Sequence, residues 1–308
     1  MIATITLNPS VDKRYMVKNF NKNGVFRVHQ VEVTAGGKGL NVARVIKQLG
    51  EPVVTLGFLG GANGEFIENE LNKMGIVNLF TKIKGETRSC IAILSNDYSQ
   101  TEILESGPKI TKHEIDRFLN EYDNILKKSK IICASGSLPQ NIPVDFYSEL
   151  INRAKKENVK FILDTSGEAL KYGLKSSPFL VKPNIQELQD ITGVTINTER
   201  DLLKSVKILS QYTVEILVIS LGSEGSIVMY NDKLYKVTVP KINAINSIGS
   251  GDSMIAGFAF AIARRFDFEK IINFASACGT ANAMEKGTGM INLKNVEFIM
   301  ENIVISKL

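Results

Sequence analysis

Short apolar runs recur along the chain at 53–58, 131–134, 161–163, 179–181 and 216–219, and segments of helical period lie between most of them, at 64–74, 111–127, 143–157 and 198–211. Brief apolar runs of this kind suit strands buried on both faces. Their alternation with helices predicts βαβ units: an α/β chain with a mainly parallel central sheet covered by helices on either side. A chain of 308 residues, 44% of them hydrophobic, can bury a large core. No repeat, low-complexity tract or linker divides it, so one domain over 1–308 is expected. In open α/β sheets ligands bind beyond the carboxyl ends of the strands. Here those ends run into polar or glycine-containing turns: Ser135-Gly136-Ser137, Asp164-Thr165-Ser166-Gly167, Lys182-Pro183-Asn184 and Ser220-Leu221-Gly222. They are expected to line one crevice.

Two regions break the rhythm. Residues 25–33 alternate apolar and polar; 90–94 and 101–104 form two further short runs, with Ser95-Asn96-Asp97 between them. Both regions read as antiparallel pairs. They predict a small projecting β-sheet, a lid formed by about 13–34 and 87–105. A few strands with one open apolar face are marginal alone, so the lid needs a partner, either the crevice or a second subunit.

Glycine-rich elements mark the chemistry. Gly249-Ser250-Gly251-Asp252 runs into the apolar helix pattern 254–263. Glycines let several N–H groups point at one spot, and a helix N-terminus adds partial positive charge, which suits an anion. A carboxylate beside such a site makes sense as a base that takes a proton from a hydroxyl about to attack a phosphoryl group; it also reads as a simple helix cap. Ala35-Gly36-Gly37-Lys38-Gly39-Leu40-Asn41 opens a second helix, predicted from Leu40 to Gln48, and offers a cation and an amide on its first turn. The glycine spacing is not that of a Walker A loop. Asp12, read as the end of the first strand, could accept hydrogen bonds from sugar hydroxyls or stay solvated.

Other classes are excluded. The net charge of +5 comes without a dense Lys/Arg block, so no nucleic-acid footprint is expected. Cys90, Cys133 and Cys278 lack paired spacing, and His29 and His113 are isolated, which argues against a disulfide framework, a zinc site and a Ser-His relay. The longest apolar run is half a membrane span and the N-terminus reads as a strand, so no membrane partner and a cytoplasmic protein are expected.

Four motifs occur in order: Gly36-Gly-Lys-Gly-Leu-Asn41, Lys182-Pro-Asn-x-x-Glu187, Ser220-Leu-Gly-x-x-Gly225 and Gly249-Ser-Gly-Asp252. Together they resemble the ribokinase-like (PfkB) carbohydrate kinases. The resemblance runs from Met1 to the C-terminal helices and implies a three-layer fold, with ATP and Mg²⁺ as cofactors. Leu7-Asn-Pro-Ser-Val-Asp12 and Ser135-Gly-Ser-Leu-Pro139 resemble the branch that phosphorylates ketohexose phosphates. Residues 85–94 are most similar to tagatose-6-phosphate kinases, and 1-phosphofructokinases share nearly everything else. The family usually carries Asp-Thr where Asn246-Ser247 stand, which puts in doubt any monovalent-cation site.

The resemblance assigns roles. Asp252 would be the base, with the N–H groups of Gly249, Ser250 and Gly251 holding the developing charge. The phosphosugar would meet Asp12, Gly37, Lys38, Asn41, Arg88 and Ser137, with Arg27 serving its own site or a partner subunit's. Lys182, Asn184, Glu187, Ser220, Gly222, Gly225, Gly251 and Asn282 would meet the nucleotide. Asn184 and Glu187 would face Mg²⁺, although their spacing also fits a helix cap and capping box. A homodimer through the lid is expected. A non-catalytic regulator is disfavoured by the intact Asp252, and a kinase for neutral sugars by the pairing of Arg88 with Lys38.

Overall fold

The computed structural model describes residues 1–28, 30–96 and 99–308. The chain starts in the middle of its sheet with β1 (Ile2–Thr6), buried along its whole length. It then leaves the body as β2 (Ser10–Val17) and β3 (Val31–Gly36) and returns through α1 (Lys38–Gln48). There follow β4 (Val53–Leu59), α2 (Gly61–Lys73), the short β5 (Val77–Asn78) and β6 (Thr81–Lys82), and a second excursion, β7 (Arg88–Ser95) and β8 (Gln100–Leu104). The rest alternates: α3 (Lys112–Leu126), β9 (Ile131–Ser135), α4 (Phe146–Lys156), β10 (Lys160–Asp164), α5 (Gly167–Lys175), β11 (Leu180–Val181), α6 (Ile185–Thr192), α7 (Glu199–Leu209) and β12 (Ile216–Ser220). Two hairpin strands, β13 (Ser226–Tyr230) and β14 (Lys233–Thr238), lead to α8 (Ser250–Ala263), α9 (Phe268–Ala283), α10 (Leu293–Asn302) and the closing strand β15 (Val304–Lys307).

The main sheet has the order β15-β14-β13-β12-β11-β10-β9-β1-β4-β5, with β6 also on β4. It is parallel from β12 to β5 and antiparallel from β12 to β15. Successive strand side chains point to opposite faces. Ile131 and Cys133 therefore join the core under α1, α2, α8, α9 and α10, while Ile132 and Ala134 join the core under α3 to α7. This is the expected three-layer α/β arrangement. α8 is buried from Asp252 through Ala259, against α1, α9 and the sheet; a helix apolar on all sides can fold only there. Among the described residues no helix is long and apolar enough to cross a membrane.

The projecting sheet has the order β3-β2-β7-β8, with both outer pairs antiparallel and β2–β7 parallel. It differs from expectation at its tip. The strand expected over 25–33 begins at Val31, and His29 and Asp97 lie outside the described residues. The alternation over 25–30 has no strand to pair with, because β2 pairs with residues 31–36 in the register Ser10↔Gly36; Val25 is left 92% exposed. The lid thus begins at Ser10, and Asp12 sits inside a lid strand instead of ending the first body strand.

Candidate active site

The first turn of α8 forms the floor. Gly249, with φ of 83°, turns the chain into the helix, and three residues on stands Asp252, only 6% exposed. Burial pushes its carboxyl up to about 6, reinforced by the Asp164 carboxylate and opposed by Lys38, by a hydrogen bond from Asn41 and by Lys182. Asn41 Nδ2 donates to Asp252 Oδ2 at 2.7 Å. A carboxyl of this strength is charged at neutral pH and still basic enough to accept a proton.

Two lysines converge from different elements on Asp164, at the end of β10 and 2% exposed. Lys38 Nζ, on the first turn of α1, is 3.6 Å from Asp164 Oδ1, and Lys182 Nζ, after β11, is 3.8 Å from it. Asp164 is also the main reason the Lys38 ammonium is pushed well above its ordinary value. Lys182 Nζ lies against the turn of α8 as well, 3.1 Å from where a Cβ on Gly251 would stand. Cations from α1 and from the β11–α6 link therefore flank the helix start that carries Asp252.

On the lid side, Asp12 accepts from Ser10 Oγ at 2.6 Å. Its carboxyl is raised by burial, against that hydrogen bond and the nearby Arg88 and Arg44 guanidinium groups. A Cβ on Gly36 would fall 2.1 Å from the Asp12 carboxyl carbon and displace that carboxyl. Gly37 caps α1, which starts at Lys38, two residues earlier than expected. Arg88 is not a free fork. Its Nε and one NH₂ group donate to Asn8 O at 3.2 and 3.0 Å, and the other donates to Glu105 O at 2.8 Å. It borders an open cavity of about 550 Å³ with Glu105, Ser106 and Lys109. Ser137, exposed, accepts from Asn8 Nδ2 at 3.2 Å. Arg27 is exposed and outside any strand, so the expectation that it rides on the lid sheet fails.

Opposite, the strand ends after β11 and β12 lie side by side, joined by a bridge between Asn184 and Ser220. Asn184 and Glu187 form a reciprocal capping box. Asn184 Oδ1 accepts from Glu187 N, and Glu187 Oε2 from Asn184 N, both at 2.9 Å. The other Glu187 oxygen has no such bond; Asn184 is exposed and Glu187 half-buried. Gly222 has open space above it. Gly225 is buried for another reason: a Cβ would stand 1.9 Å from Val237 O, so its place belongs to the packing of β14. Asn282 sits beneath the start of α8. Fully buried, it accepts from Ser253 Oγ at 3.0 Å and Gly289 N at 2.9 Å, and donates to Ile248 O at 2.9 Å. These bonds pin the loop before α8.

Sequence reasoning left Asp164 as one polar turn residue among several and passed over Arg44 and Lys109. The spacing of Asn41 and Arg44, three apart on one helix, was the available signal for Arg44; Lys109 offered none.

The whole chain has relatives. The model of the pfkB family of carbohydrate kinases matches residues 2–295. A tagatose-6-phosphate kinase of Staphylococcus epidermidis is 42% identical over 308 residues, covering 99% of both chains. Phosphofructokinase-2 from Escherichia coli, solved with potassium, superposes with a TM-score of 0.90 at 26% identity, covering 98% of each chain. A Thermotoga maritima structure described as a possible 1-phosphofructokinase gives 0.90 at 26% identity, covering 100% of this chain and 99% of that one. Motif order, three-layer fold and full-length match agree: the chain belongs to the pfkB family of carbohydrate kinases.

Proposed function

We propose that the chain transfers the terminal phosphoryl group of ATP to a hydroxyl of a ketohexose phosphate, with tagatose 6-phosphate as the substrate. The observation that carries the reading is the buried Asp252 carboxyl, held near 6 at a glycine-rich helix start flanked by two lysines. Asp252 takes the proton of the acceptor hydroxyl. The N–H groups of Gly249, Ser250 and Gly251 face the charge that develops on the transferred group. Asp12 and Asn41 bind sugar hydroxyls, and Arg88, Lys38 and Ser137 stand on the side of the substrate's own phosphate. The nucleotide lies along Lys182, Asn184, Ser220 and Gly222.

For Mg²⁺ the donor set fits an indirect site. Among the described residues no three His, Cys, Asp or Glu side chains form a metal cluster. Mg²⁺ keeps several waters and needs only one or two carboxylates beside the phosphates. Glu187, with one oxygen outside its capping box, would hold it through water; the ion would neutralise phosphate charge. The three buried free cysteines suit a reducing compartment and support a cytoplasmic enzyme.

The full-length likeness to a tagatose-6-phosphate kinase supports that substrate, and the likeness to the Thermotoga maritima protein supports fructose 1-phosphate as the second reading. Initial rates on tagatose 6-phosphate, fructose 1-phosphate and fructose 6-phosphate separate them. The highest kcat/KM is expected on tagatose 6-phosphate; a higher value on fructose 1-phosphate assigns the second reading.

The lid supports a homodimer. Strand register places Tyr15, Val31, Val33, Ile91, Ile93 and Ile103, with Lys13 between Val33 and Ile91, on one face of the small sheet and Asp12 on the other. The apolar face points away from the crevice, and we propose that a second copy covers it.

A further inference from the structure

Arg44 is a buried cation whose partners are not carboxylates. It is 8% exposed, NH1 donates to Asn41 Oδ1 at 2.6 Å, and NH2 donates to the carbonyl of Ala35 at the base of the lid. Burial works against its charge; Asp12, Asp252 and Glu70 favour it from a distance. A side chain buried at that cost with only neutral acceptors calls for a reason beyond packing.

Donor chemistry supplies one. A guanidinium has N–H groups and no acceptor, whereas a primary amide has one end of each kind. The end of Asn41 that meets Arg44 must be its oxygen, so the end that meets Asp252 must be its NH₂ group, 2.7 Å from Oδ2. An amide turned the other way would offer oxygen to Asp252 and favour a protonated carboxyl. We infer that Arg44 is a positioning residue: it fixes the direction of the Asn41 amide and so keeps Asp252 a carboxylate, ready to accept a proton. The inference rests on the proposed role of Asp252 as base. It also links that base to the lid, because Arg44 grips Ala35 on β3 with its other arm.

The other charged groups that weigh most on Asp252 are Asp164, Lys38 and Lys182, whereas the Asn41 amide bonds to Asp252 and Arg44. The test reads the carboxyl directly. In protein labelled with ¹³C at the aspartate carboxyl, the Asp252 signal is assigned by its loss in Asp252→Asn. In Arg44→Met its midpoint should rise by about one pH unit or more; in Arg44→Lys, which keeps a charged donor, it should stay within about 0.3 unit of wild type. The acid limb of kcat/KM should move in parallel. In an Asn41→Ala background Arg44→Met should move the midpoint much less, because only the direct attraction of the Arg44 charge is then lost. If Arg44→Met fails to fold, Arg44→Gln against Arg44→Lys makes the same comparison. An Asp252 midpoint unchanged by Arg44→Met or Arg44→Gln overturns the inference, as does an equal shift with and without Asn41. Full turnover by Asp252→Asn overturns the base reading alone, and the titration still decides what Arg44 does.

Discussion

Asp252 is a residue the fold holds at a cost. Its carboxyl titrates near 6 in the folded chain against 3.8 when unperturbed, so the folded state binds its proton more tightly than the unfolded state. The stability it contributes is full below pH 3.8 and is lost as pH rises through about 6. Asp252→Asn should therefore raise the melting temperature above pH 6, by on the order of 2–3 kcal/mol of stability, and leave it unchanged below about pH 4. The same replacement should cut kcat by about 10²–10⁴. Thermal unfolding at pH 8 and pH 4, beside steady-state rates, checks both; equal melting of mutant and wild type at pH 8 means burial does not penalise the carboxylate. The place of this residue at a helix start was legible because glycines, a helix start and a carboxylate stood together in sequence. Asp164 was not, since its meaning comes from Lys38 and Lys182, brought to it from 126 residues upstream and 18 downstream by parallel strand order.

At the scale of elements, β7 is held to the body by its first residue. Arg88 ties the lid to Asn8 O and Glu105 O, which leaves part of its fork for a ligand in the neighbouring cavity. Arg88→Ala should raise KM for the sugar phosphate roughly 10- to 100-fold, the worth of a charge-assisted hydrogen bond. KM for ATP should hardly move; if it moves instead, the sugar and nucleotide sides are reversed. The body strands and helices were readable because buried parallel strands are continuous apolar runs, a pattern that needs no partner to be recognised. The lid was less so. Alternation over 25–33 fits a strand, yet a strand also needs a neighbour in register, and β2 reaches only as far as Val31. Asn184 and Glu187 show the converse: one spacing satisfies a capping box and a phosphate-facing pair alike, and the chain makes the box.

For the whole molecule, the proposed dimer rests on the apolar outer face of the lid. Val31 and Val33 are 44% and 43% exposed, and Ile103 is 55% exposed. Exposed apolar surface of this kind, broken only by Lys13, fits an interaction site. Sedimentation at micromolar concentration should find the wild type dimeric. The double replacement Val31→Glu and Ile91→Glu should run as a monomer with little activity, because an uncovered lid cannot close and exclude water. A wild type that is monomeric and fully active removes the dimer from the mechanism.

α8 places the proposed base in the buried interior, packed between the sheet, α1 and α9. The carboxylate, its amide partner and the flanking lysines are thus already in place before any sugar arrives. On the proposed mechanism, a water molecule reaching an open site meets the same base and the same activated phosphate as the sugar does. What separates sugar phosphorylation from wasteful ATP breakdown is then not assembly of the catalytic group but timing: how seldom the lid lets solvent stand where a hydroxyl should be.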